Sequence, residues 1–400
     1  MLKPVLRYQL TFESAGWPSA VTFQDSSRRL VAGNQDGELY VWDLPETPPP
    51  LPTEKKPGVK LPEGPNVSPV LRLNGHTNVV SHLHYDAARK LVISSSFDYS
   101  IRLWNLEAPP SGEATVVLDQ LARDEEYKRT KKEEVRQQPG VAVKTLTAVH
   151  VLDGHRDWIM SMAASGDGSR LITGDAAAQV IVWDLEKRTP IAKWSGHPWN
   201  WIVAAALTTD GHGALVSEYR YKRDDFDIPA AALKLWNADD GTEVLDILKV
   251  QFPKLDPKEA TYGSAQMWNK FTGVGLVAVA ISPDGKLLAT GQGGETDTGK
   301  VHILERETGK LVRDVSGHLS GATDVAFSKD GKWVFSAGRD TTVRICQVED
   351  GKELAAIGSS RGGQFKDWIS AFAISPDERW VAAADIAGHI SVWELTDVVG

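Results

Sequence analysis

The sequence contains a single cysteine, Cys346, among its 400 residues. One cysteine cannot form a disulfide within the chain, so a reducing compartment is favoured. No apolar run approaches about 18 residues, and Met1–Phe12 holds no apolar segment of signal-peptide length. We therefore expect a cytoplasmic protein without membrane contact; an export signal removed during maturation would leave no trace in this sequence.

An excess of positive charge and the common catalytic motifs are also missing. The formal net charge is −9, and because phosphate binding needs clustered cations, no nucleic-acid partner is expected. The sequence has no Cys-x-x-Cys, His-Glu-x-x-His, P-loop or Gly-x-Ser-x-Gly. His82 and His84 lie two apart and could share a strand face, but no third ligand converges with them. We expect no metal and no cofactor.

What the sequence has instead is a Trp-Asp pair, or a near relative of it, that keeps returning. Each copy closes a short β-rich segment, and a segment of this size cannot bury both faces of its own sheet, so the units must stack on one another. The copies are Val41-Trp42-Asp43-Leu44, Leu103-Trp104-Asn105-Leu106, Val182-Trp183-Asp184-Leu185, Leu235-Trp236-Asn237 and Val392-Trp393-Glu394-Leu395.

Aligned on this tryptophan, the chain divides into seven units. A second landmark, Gly-His, precedes four of the seven ends, and in three units the spacing from the His to the terminal position is identical (76 to 104, 155 to 183, 318 to 346). The seven ends are Trp42, Trp104, Trp183, Trp236, Leu304, Cys346 and Trp393.

With these two landmarks the sequence resembles the WD-repeat β-propeller family over nearly its whole length. The resemblance implies an all-β fold, a seven-bladed β-propeller of four-stranded antiparallel blades, forming one domain over residues 1–400. It also implies that one blade combines both chain ends. The alternating residues 5–12 are the candidate for the strand that completes the blade ending at Trp393.

Four interruptions break the period. Residues 45–70 are proline-rich and predict a solvated excursion with polyproline II character, either a tolerated insert or a docking segment for a partner. Residues 107–148 are charged and predict a protruding helix. Residues 218–230 and 250–275 carry aromatic residues, which favour binding loops on a rigid scaffold. The aromatic residues singled out there are Tyr219, Tyr221, Trp268 and Phe271.

The family resemblance implies a buried network in several units, in which a Gly-His histidine, a Ser or Thr, an Asp and the terminal Trp are linked. A Ser/His/Asp set that recurs and ends on an indole indicates a packing clamp rather than a catalytic triad, which would be unique and exposed. In the third unit Ala177 stands at the Asp position, so a buried group there is expected to find water or stay unsatisfied. The members are His76, Ser94, Asp98 and Trp104 in the second unit; His155, Thr173 and Trp183 in the third; and His318, Ser336 and Asp340 in the sixth.

The stronger functional signal lies just before the innermost strand of each unit. Four units place a Trp in this slot, while the other three have Val79, Gly275 and Gly321. By family geometry the slot lies on the top face near the mouth of the central channel. There the indoles either wedge neighbouring blades apart or form an exposed binding surface. The four are Trp17, Trp158, Trp201 and Trp368, and polar residues precede three of them: Asp157, Asn200 and Asp367.

These observations predict a non-enzymatic scaffold that binds a peptide or protein segment against the indoles, with Arg339 adding positive charge. Two alternatives stay open. One is an enzyme or small-molecule-binding propeller with its site in the central funnel, for which Asp157, Glu218, Asp227 and Asp367 are the carboxylates to inspect. The other is an assembly or sensor module of a larger protein. Fold alone does not choose among them.

Overall fold

A computed structural model gives the architecture of the chain as two compact units. The first comprises Met1–Val151 with Ser370–Gly400, and the second comprises Leu152–Ile369. The structure describes residues 2–12, 16–25, 28–51, 64–117, 120–135, 140–219, 231–253, 270–273, 275–294, 299–315, 317–358 and 368–397.

The elements are almost all short strands. In chain order, those up to the unit boundary are β1 (Leu2–Thr11), β2 (Pro18–Phe23), β3 (Arg29–Asn34), β4 (Leu39–Asp43), β5 (Leu71–Asn74), β6 (Val80–Asp86), β7 (Leu91–Ser96), β8 (Ile101–Trp104), β9 (Gly112–Val116), α1 (Gln120–Thr130), a 3-10 turn (Glu133–Val135), β10 (Val141–Thr147) and β11 (His150–Leu152).

The second unit continues with β12 (Ile159–Ala164), β13 (Arg170–Asp175), β14 (Gln179–Asp184), β15 (Thr189–Ser195), β16 (Trp201–Leu207), β17 (Gly213–Tyr219), β18 (Ala231–Asn237), β19 (Glu243–Asp246), α2 (Ile247–Gln251), β20 (Leu276–Ile281), β21 (Leu287–Gln292), β22 (Val301–Glu305), β23 (Leu311–Val315), β24 (Ala322–Phe327), β25 (Trp333–Gly338), β26 (Val343–Gln347) and β27 (Glu353–Ile357). The chain then returns to the first unit with β28 (Ile369–Ile374), β29 (Trp380–Asp385) and β30 (His389–Asp397).

These strands form seven sheets, one for each predicted unit, and the fold is the predicted all-β, seven-bladed β-propeller. We number the blades by their terminal positions, from Trp42 in blade one to Trp393 in blade seven. The first unit holds blade seven (β1-β30-β29-β28), blade one (β2-β3-β4-β5-β10-β9) and blade two (β11-β8-β7-β6). The second unit holds blades three to six, in the orders β12-β13-β14-β15, β16-β17-β18-β19, β20-β21-β22-β23 and β24-β25-β26-β27.

The predicted closing strand is confirmed and is longer than the sequence suggested. β1 pairs antiparallel with β30 from Leu2 opposite Asp397 to Thr11 opposite His389. Arg7 donates two hydrogen bonds to Glu394 Oε2, from Nη2 at 2.7 Å and from Nε at 2.9 Å.

The core lies between neighbouring sheets, as expected for units that cannot bury both faces alone. In the second unit, Ile172 and Val182 of blade three pack with Ile202 and Val216 of blade four. Each such side chain contributes roughly 1.5–3 kcal/mol by leaving water. Hydroxyls reinforce the stacking, because Ser217 Oγ donates to Leu276 O of the next blade at 2.6 Å.

Blade one departs from the predicted four strands. The charged insert is helical in α1, but two of its segments are strands, and β10 pairs in parallel with β5 and antiparallel with β9. The physical reason is that Val143 and Leu146 bury their side chains while β10 covers the open backbone edge of β5. The prediction of a mainly helical insert was therefore only partly correct.

The described ends of the proline-rich insert lie against β1. Gln9 N–H donates to Pro65 O at 2.9 Å, and Asn66 Nδ2 donates to Thr11 Oγ1 at 3.1 Å. The Tyr8 hydroxyl donates to Pro45 O. Residues 52–63, the middle of the predicted excursion, lie outside the described residues.

Among the described residues, no helix has the length and apolar character needed to cross a bilayer.

Candidate binding surface

The slot before each innermost strand has the same backbone environment in most blades. In five blades the slot carbonyl accepts a hydrogen bond from an amide further along the chain, always at the same spacing. These bonds are Gln35 N to Trp17 O (3.2 Å), Phe97 N to Val79 O (2.9 Å), Ala176 N to Trp158 O (2.9 Å), Gly293 N to Gly275 O (2.8 Å) and Arg339 N to Gly321 O (2.9 Å). In blade four, Trp201 is paired with Tyr219, again at that spacing. The positions aligned from the sequence are thus structurally equivalent.

In the second unit, Trp158 and Trp201 start neighbouring sheets at the same end. Trp158 precedes β12, and Trp201 is the first residue of β16. The two sheets are in contact there, because the Ile202 side chain occupies the space that a Cβ on Gly174 would need. The exposed fractions of the two tryptophans are 43% for Trp158 and 37% for Trp201, so neither indole is sealed between blades.

A third indole stands between these two in sequence and is far more exposed. Trp199 has 84% of its surface accessible, the highest value among the exposed large apolar residues of the described chain. We call Trp158, Trp199 and Trp201 the indole surface. Trp17, in the first unit, is 38% exposed in its own slot.

Trp199 is presented by a tight turn. Asn200 N–H donates to His197 O at 3.1 Å, which closes a four-residue turn over His197–Asn200. Pro198 occupies the second position and Trp199 the third, where its φ of +73° is the left-handed value of a type II turn. Glycine is preferred at that position, because a side chain there costs on the order of 1–3 kcal/mol.

A buried carboxylate lies beneath this turn. Glu218 is 1% exposed, and its Oε2 accepts from His197 N–H at 2.7 Å and from Asn200 Nδ2 at 3.1 Å. Asn200 is itself fully buried, so it is an anchor below the surface rather than a contact residue. A Cβ on Gly196 would lie 2.5 Å from the Glu218 carboxyl carbon, so a glycine here leaves the carboxylate its place beneath the turn.

The remaining slot indole, Trp368, is covered by a cation. The Arg339 guanidinium lies 4.3 Å from the Trp368 ring centroid, and its Nη1 donates to Gly294 O at 3.4 Å. Such a cation–π contact contributes about 0.5–1 kcal/mol at a partly exposed position. Arg339 and Trp368 therefore form one composite group.

Two of the predicted binding aromatics pack against neighbouring residues and are partly exposed. The Tyr219 ring lies over Gly275, within 2.6 Å of where a Cβ would be. Phe271 stacks on His302 with ring centroids 4.2 Å apart, and the His302 ring nitrogen Nε2 contacts Phe271 O at 2.9 Å. Their partners are distant in sequence, which is why loop composition did not reveal the packing. Tyr221, Trp268 and Asp367 lie outside the described residues.

The carboxylates proposed for an enzyme are occupied where they are described. Asp157 Oδ1 accepts from the backbone N–H of Trp158 at 2.8 Å, and Glu218 holds the turn. Asp227 lies outside the described residues. In the first unit, a polar cleft of about 380 Å³ contains Asp43 and Glu107, and Arg29 contacts them at 2.5 and 2.9 Å.

The linked networks appear in three blades. In blade two, Ser94 Oγ accepts from Trp104 Nε1 at 2.8 Å and contacts His76 Nε2 at 2.7 Å, while His76 Nδ1 contacts Asp98 Oδ2 at 2.8 Å. Burial lowers the pKa of His76 despite its hydrogen bond to Asp98. Burial alone would raise the pKa of Asp98, but the hydrogen bonds from His76 and Ser100 lower it below the ordinary value.

Blade three corrects the expectation at Ala177. His155 Nδ1 contacts Asp175 Oδ2 at 2.8 Å, so the carboxylate comes from the end of β13, two positions earlier. Thr173 Oγ1 accepts from Trp183 Nε1 at 2.8 Å. The network is complete, because Asp175 is fully buried beside the imidazole.

In blade six, His318 Nε2 contacts Ser336 Oγ at 2.8 Å and His318 Nδ1 contacts Asp340 Oδ1 at 2.9 Å. Burial alone would raise the pKa of Asp340, but hydrogen bonds from His318, Leu319 N–H and Thr342 lower it to about 2.

Blades one and four lack this network. Ala32 and Val216 occupy the Ser/Thr position, as the strand pairing shows. The indole nitrogens of Trp42 and Trp236 are buried without a hydrogen-bond partner in the described part of the chain. Within the same residues, no group of three or more His, Cys, Asp or Glu is placed to hold a metal ion.

From the sequence, Trp199 was not identified as a predicted site residue, and Glu218 was considered only as a candidate carboxylate of an enzyme. The signal was present in the spacing, because the intervals from His155 to Trp158 and from His318 to Gly321 are equal, whereas His197 to Trp201 is longer by one. The extra residue makes the turn, and His197 is exposed instead of joining a network.

Comparison with known proteins identifies the repeats directly. A family model described as WD domain, G-beta repeat matches residues 7–43, 67–105, 146–184, 309–346 and 359–394. No match falls on residues 185–308, where blade four lacks the network.

Several curated proteins are similar over part of their length. The chain is 25% identical over 264 residues to autophagy-related protein 16 of Arabidopsis thaliana, covering 62% of this chain and 50% of that protein. It is 25% identical over 252 residues to transcription factor unc-37 of Caenorhabditis elegans, covering 60% and 34%. It is 29% identical over 113 residues to human WD repeat and SOCS box-containing protein 1, covering 28% and 25%. These matches span half or less of each relative.

Proposed function

Because the chain belongs to the WD-repeat protein family, we propose that it is a non-enzymatic scaffold that binds a protein segment on the indole surface of its second unit. The observation that carries this proposal is the exposure of Trp158, Trp199 and Trp201 at one end of two contacting sheets. Tryptophan is enriched at interface hot spots, where it supplies a large apolar area and an N–H donor.

One exposed cation beside this surface, Arg156, would match an acidic group placed next to the apolar ones of the partner. Arg156 is exposed in the loop that leads to Trp158, and Asp157 is held by its hydrogen bond to the Trp158 backbone. A carboxylate of the partner placed near Arg156 would gain about 0.2–1 kcal/mol, mainly as specificity and association rate.

A cytoplasmic location is part of the proposal. Its support is composition, because the sequence holds a single cysteine, Cys346, and one cysteine cannot form a disulfide within the chain.

The test is affinity measured on the purified chain. Linear peptides and small folded domains that carry Leu and Phe beside acidic or neutral residues would be selected from display libraries on the wild-type protein. The tightest binder would be measured by titration calorimetry. We expect the Trp158→Ala and Trp201→Ala variants each to lose roughly 30-fold in affinity, which corresponds to about 2 kcal/mol for a hot spot.

The matched control is Val244→Ala, which removes a 65% exposed apolar side chain on β19, away from the indole surface. It should bind as the wild type does. If all three variants fold and retain wild-type affinity, the indole surface is not where the segment binds.

A further inference from the structure

The turn at His197–Asn200 is unusual because it places the bulkiest side chain where glycine is preferred and then leaves that side chain in water. Trp199 has a φ of +73° and is 84% exposed. The indole of Trp199 makes few contacts with the described residues, so its burial does not offset the backbone strain at positive φ. Strain that folding does not recover is commonly found at functional positions.

The turn is fixed from below rather than from above. Glu218 accepts from His197 N–H at one end of the turn and from the Asn200 side chain at the other, at 2.7 and 3.1 Å. Glu218 and Asn200 are both buried. Glu218 belongs to β17, whose register with β16 places Ile202 opposite it. The backbone at both sides of Trp199 is therefore tied to the sheet.

In blade four the carboxylate holds this turn and takes no part in a network like that of blade three. Asp175 of β13 occupies the strand position that Glu218 occupies in β17, since each follows its slot tryptophan at the same spacing (158 to 175, 201 to 218). In blade three the carboxylate contacts the His155 ring; in blade four the longer carboxylate reaches the backbone of the turn instead.

We infer that Trp199 is a preformed projecting anchor, that Glu218 is its positioning residue, and that the partner is a folded protein offering an apolar pocket of indole size. A side chain exposed to this degree projects from the surface, so the concave element must belong to the partner. A short extended peptide cannot supply such a pocket. This inference rests on the proposed function, because it assigns the partner's shape at the same surface.

The first test needs the protein alone. Trp199→Gly removes the ring and the strain, whereas Trp199→Ala removes the ring and keeps a side chain at positive φ. We expect the denaturant midpoint of Trp199→Gly to lie above that of Trp199→Ala and at or above the wild type. Equal midpoints for the two variants would show that the turn is not strained and would contradict the proposal that Trp199 is a preformed anchor.

The second test follows the indole itself. In protein labelled with 5-fluorotryptophan, the resonance missing from Trp199→Phe is that of Trp199. We expect a broad line in the wild type and a narrow one in Glu218→Ala, with Glu218→Gln intermediate because its amide oxygen still accepts. A line unchanged in Glu218→Ala would remove the positioning role.

The third test identifies the partner's shape. A photoreactive phenylalanine analogue in place of His197, an exposed residue of the same turn, would cross-link the partner in cells while Trp199 is kept. The control carries the analogue at position 244. The captured partner would then be purified and titrated against the chain. We expect Trp199→Ala and Trp199→Gly each to lose 30-fold or more, and Glu218→Ala about tenfold. Short linear fragments of the partner should bind at least 100-fold more weakly than its folded form.

The outcomes separate the two proposals. If Trp199→Ala binds within twofold of the wild type while Trp158→Ala binds weakly, the anchor is wrong and the indole surface stands. If a linear fragment binds as tightly as the folded partner, the pocket is wrong. If the chain cross-links to a second copy of itself, the proposed distinct partner is wrong. If neither Trp199→Ala nor Trp158→Ala affects affinity, both proposals fail.

Discussion

Two near-isosteric substitutions at equivalent positions of blades three and four should differ clearly in their effect on the free energy of unfolding. Thr173 Oγ1 accepts from Trp183 Nε1 at 2.8 Å and contacts His155 Nε2 at 2.7 Å, all in buried surroundings. Val216 has the equivalent register in blade four, and the Trp236 indole nitrogen there is without a partner in the described chain. Thr173→Val and Val216→Thr are thus near-isosteric exchanges.

The magnitudes follow from the groups left unpaired. Thr173→Val leaves an indole N–H and an imidazole nitrogen buried without a partner, at about 1–3 kcal/mol each, so we expect a loss of roughly 2–4 kcal/mol after relaxation. Val216→Thr supplies an acceptor to Trp236. Its net hydrogen bond of about 1 kcal/mol offsets the cost of burying the hydroxyl, so we expect a change between zero and a slight gain.

The assay is equilibrium denaturation in guanidinium chloride, followed by tryptophan fluorescence and far-UV circular dichroism. Both variants keep side-chain volume, so cavity formation does not enter the comparison. The reasoning is refuted if Thr173→Val unfolds within about 0.5 kcal/mol of the wild type, the scatter of ordinary surface substitutions, or if Val216→Thr is as destabilising as Thr173→Val.

Two further predictions concern pH and close packing. Burial lowers the pKa of His82 to about 4, so the unfolded chain binds this proton at a higher pH than the folded chain does. The contribution of His82 to the free energy of unfolding is therefore complete above about pH 6.5 and falls by up to roughly 3 kcal/mol as the pH drops towards 4. Denaturation at pH 7 and 4.5 should show a smaller loss in His82→Gln than in the wild type. Gly174→Ala places a Cβ against Ile202 and should lower the free energy of unfolding by about 1–3 kcal/mol. The control Ala177→Ser, at an exposed turn position three residues later, should unfold as the wild type does. Equal denaturation midpoints for the two variants would contradict the close contact between Gly174 and Ile202.

The features that the sequence predicted are those encoded by local spacing. Trp158 and Val79 occupy one slot because the same interval along the chain separates each from its amide partner, and a count along the chain reveals this. The closing strand was visible for a similar reason, since residues 5–12 alternate as a strand does.

The features that it missed depend on contacts between distant residues. Asp175 replaces the absent carboxylate at position 177 because the end of β13 points at His155, which spacing alone does not indicate. Phe271 stacks on His302, which belongs to a later strand. The strand β10 was not predicted because the charged residues before it favoured a helix, although Val141 and Val143 already alternate with Ala142 and Lys144.

The parallel pairing of β10 with β5 has a consequence for shortened versions of the protein. Deletion of residues 112–147 would remove β10 and would expose the backbone N–H and C=O groups of β5 that now pair with it on blade one. Such an edge recruits foreign strands. Without β10 the edge of β5 would be as open as those of β15, β19, β23 and β27 in the second unit. We expect a chain shortened in this way to self-associate more than the full chain, which size-exclusion chromatography would measure.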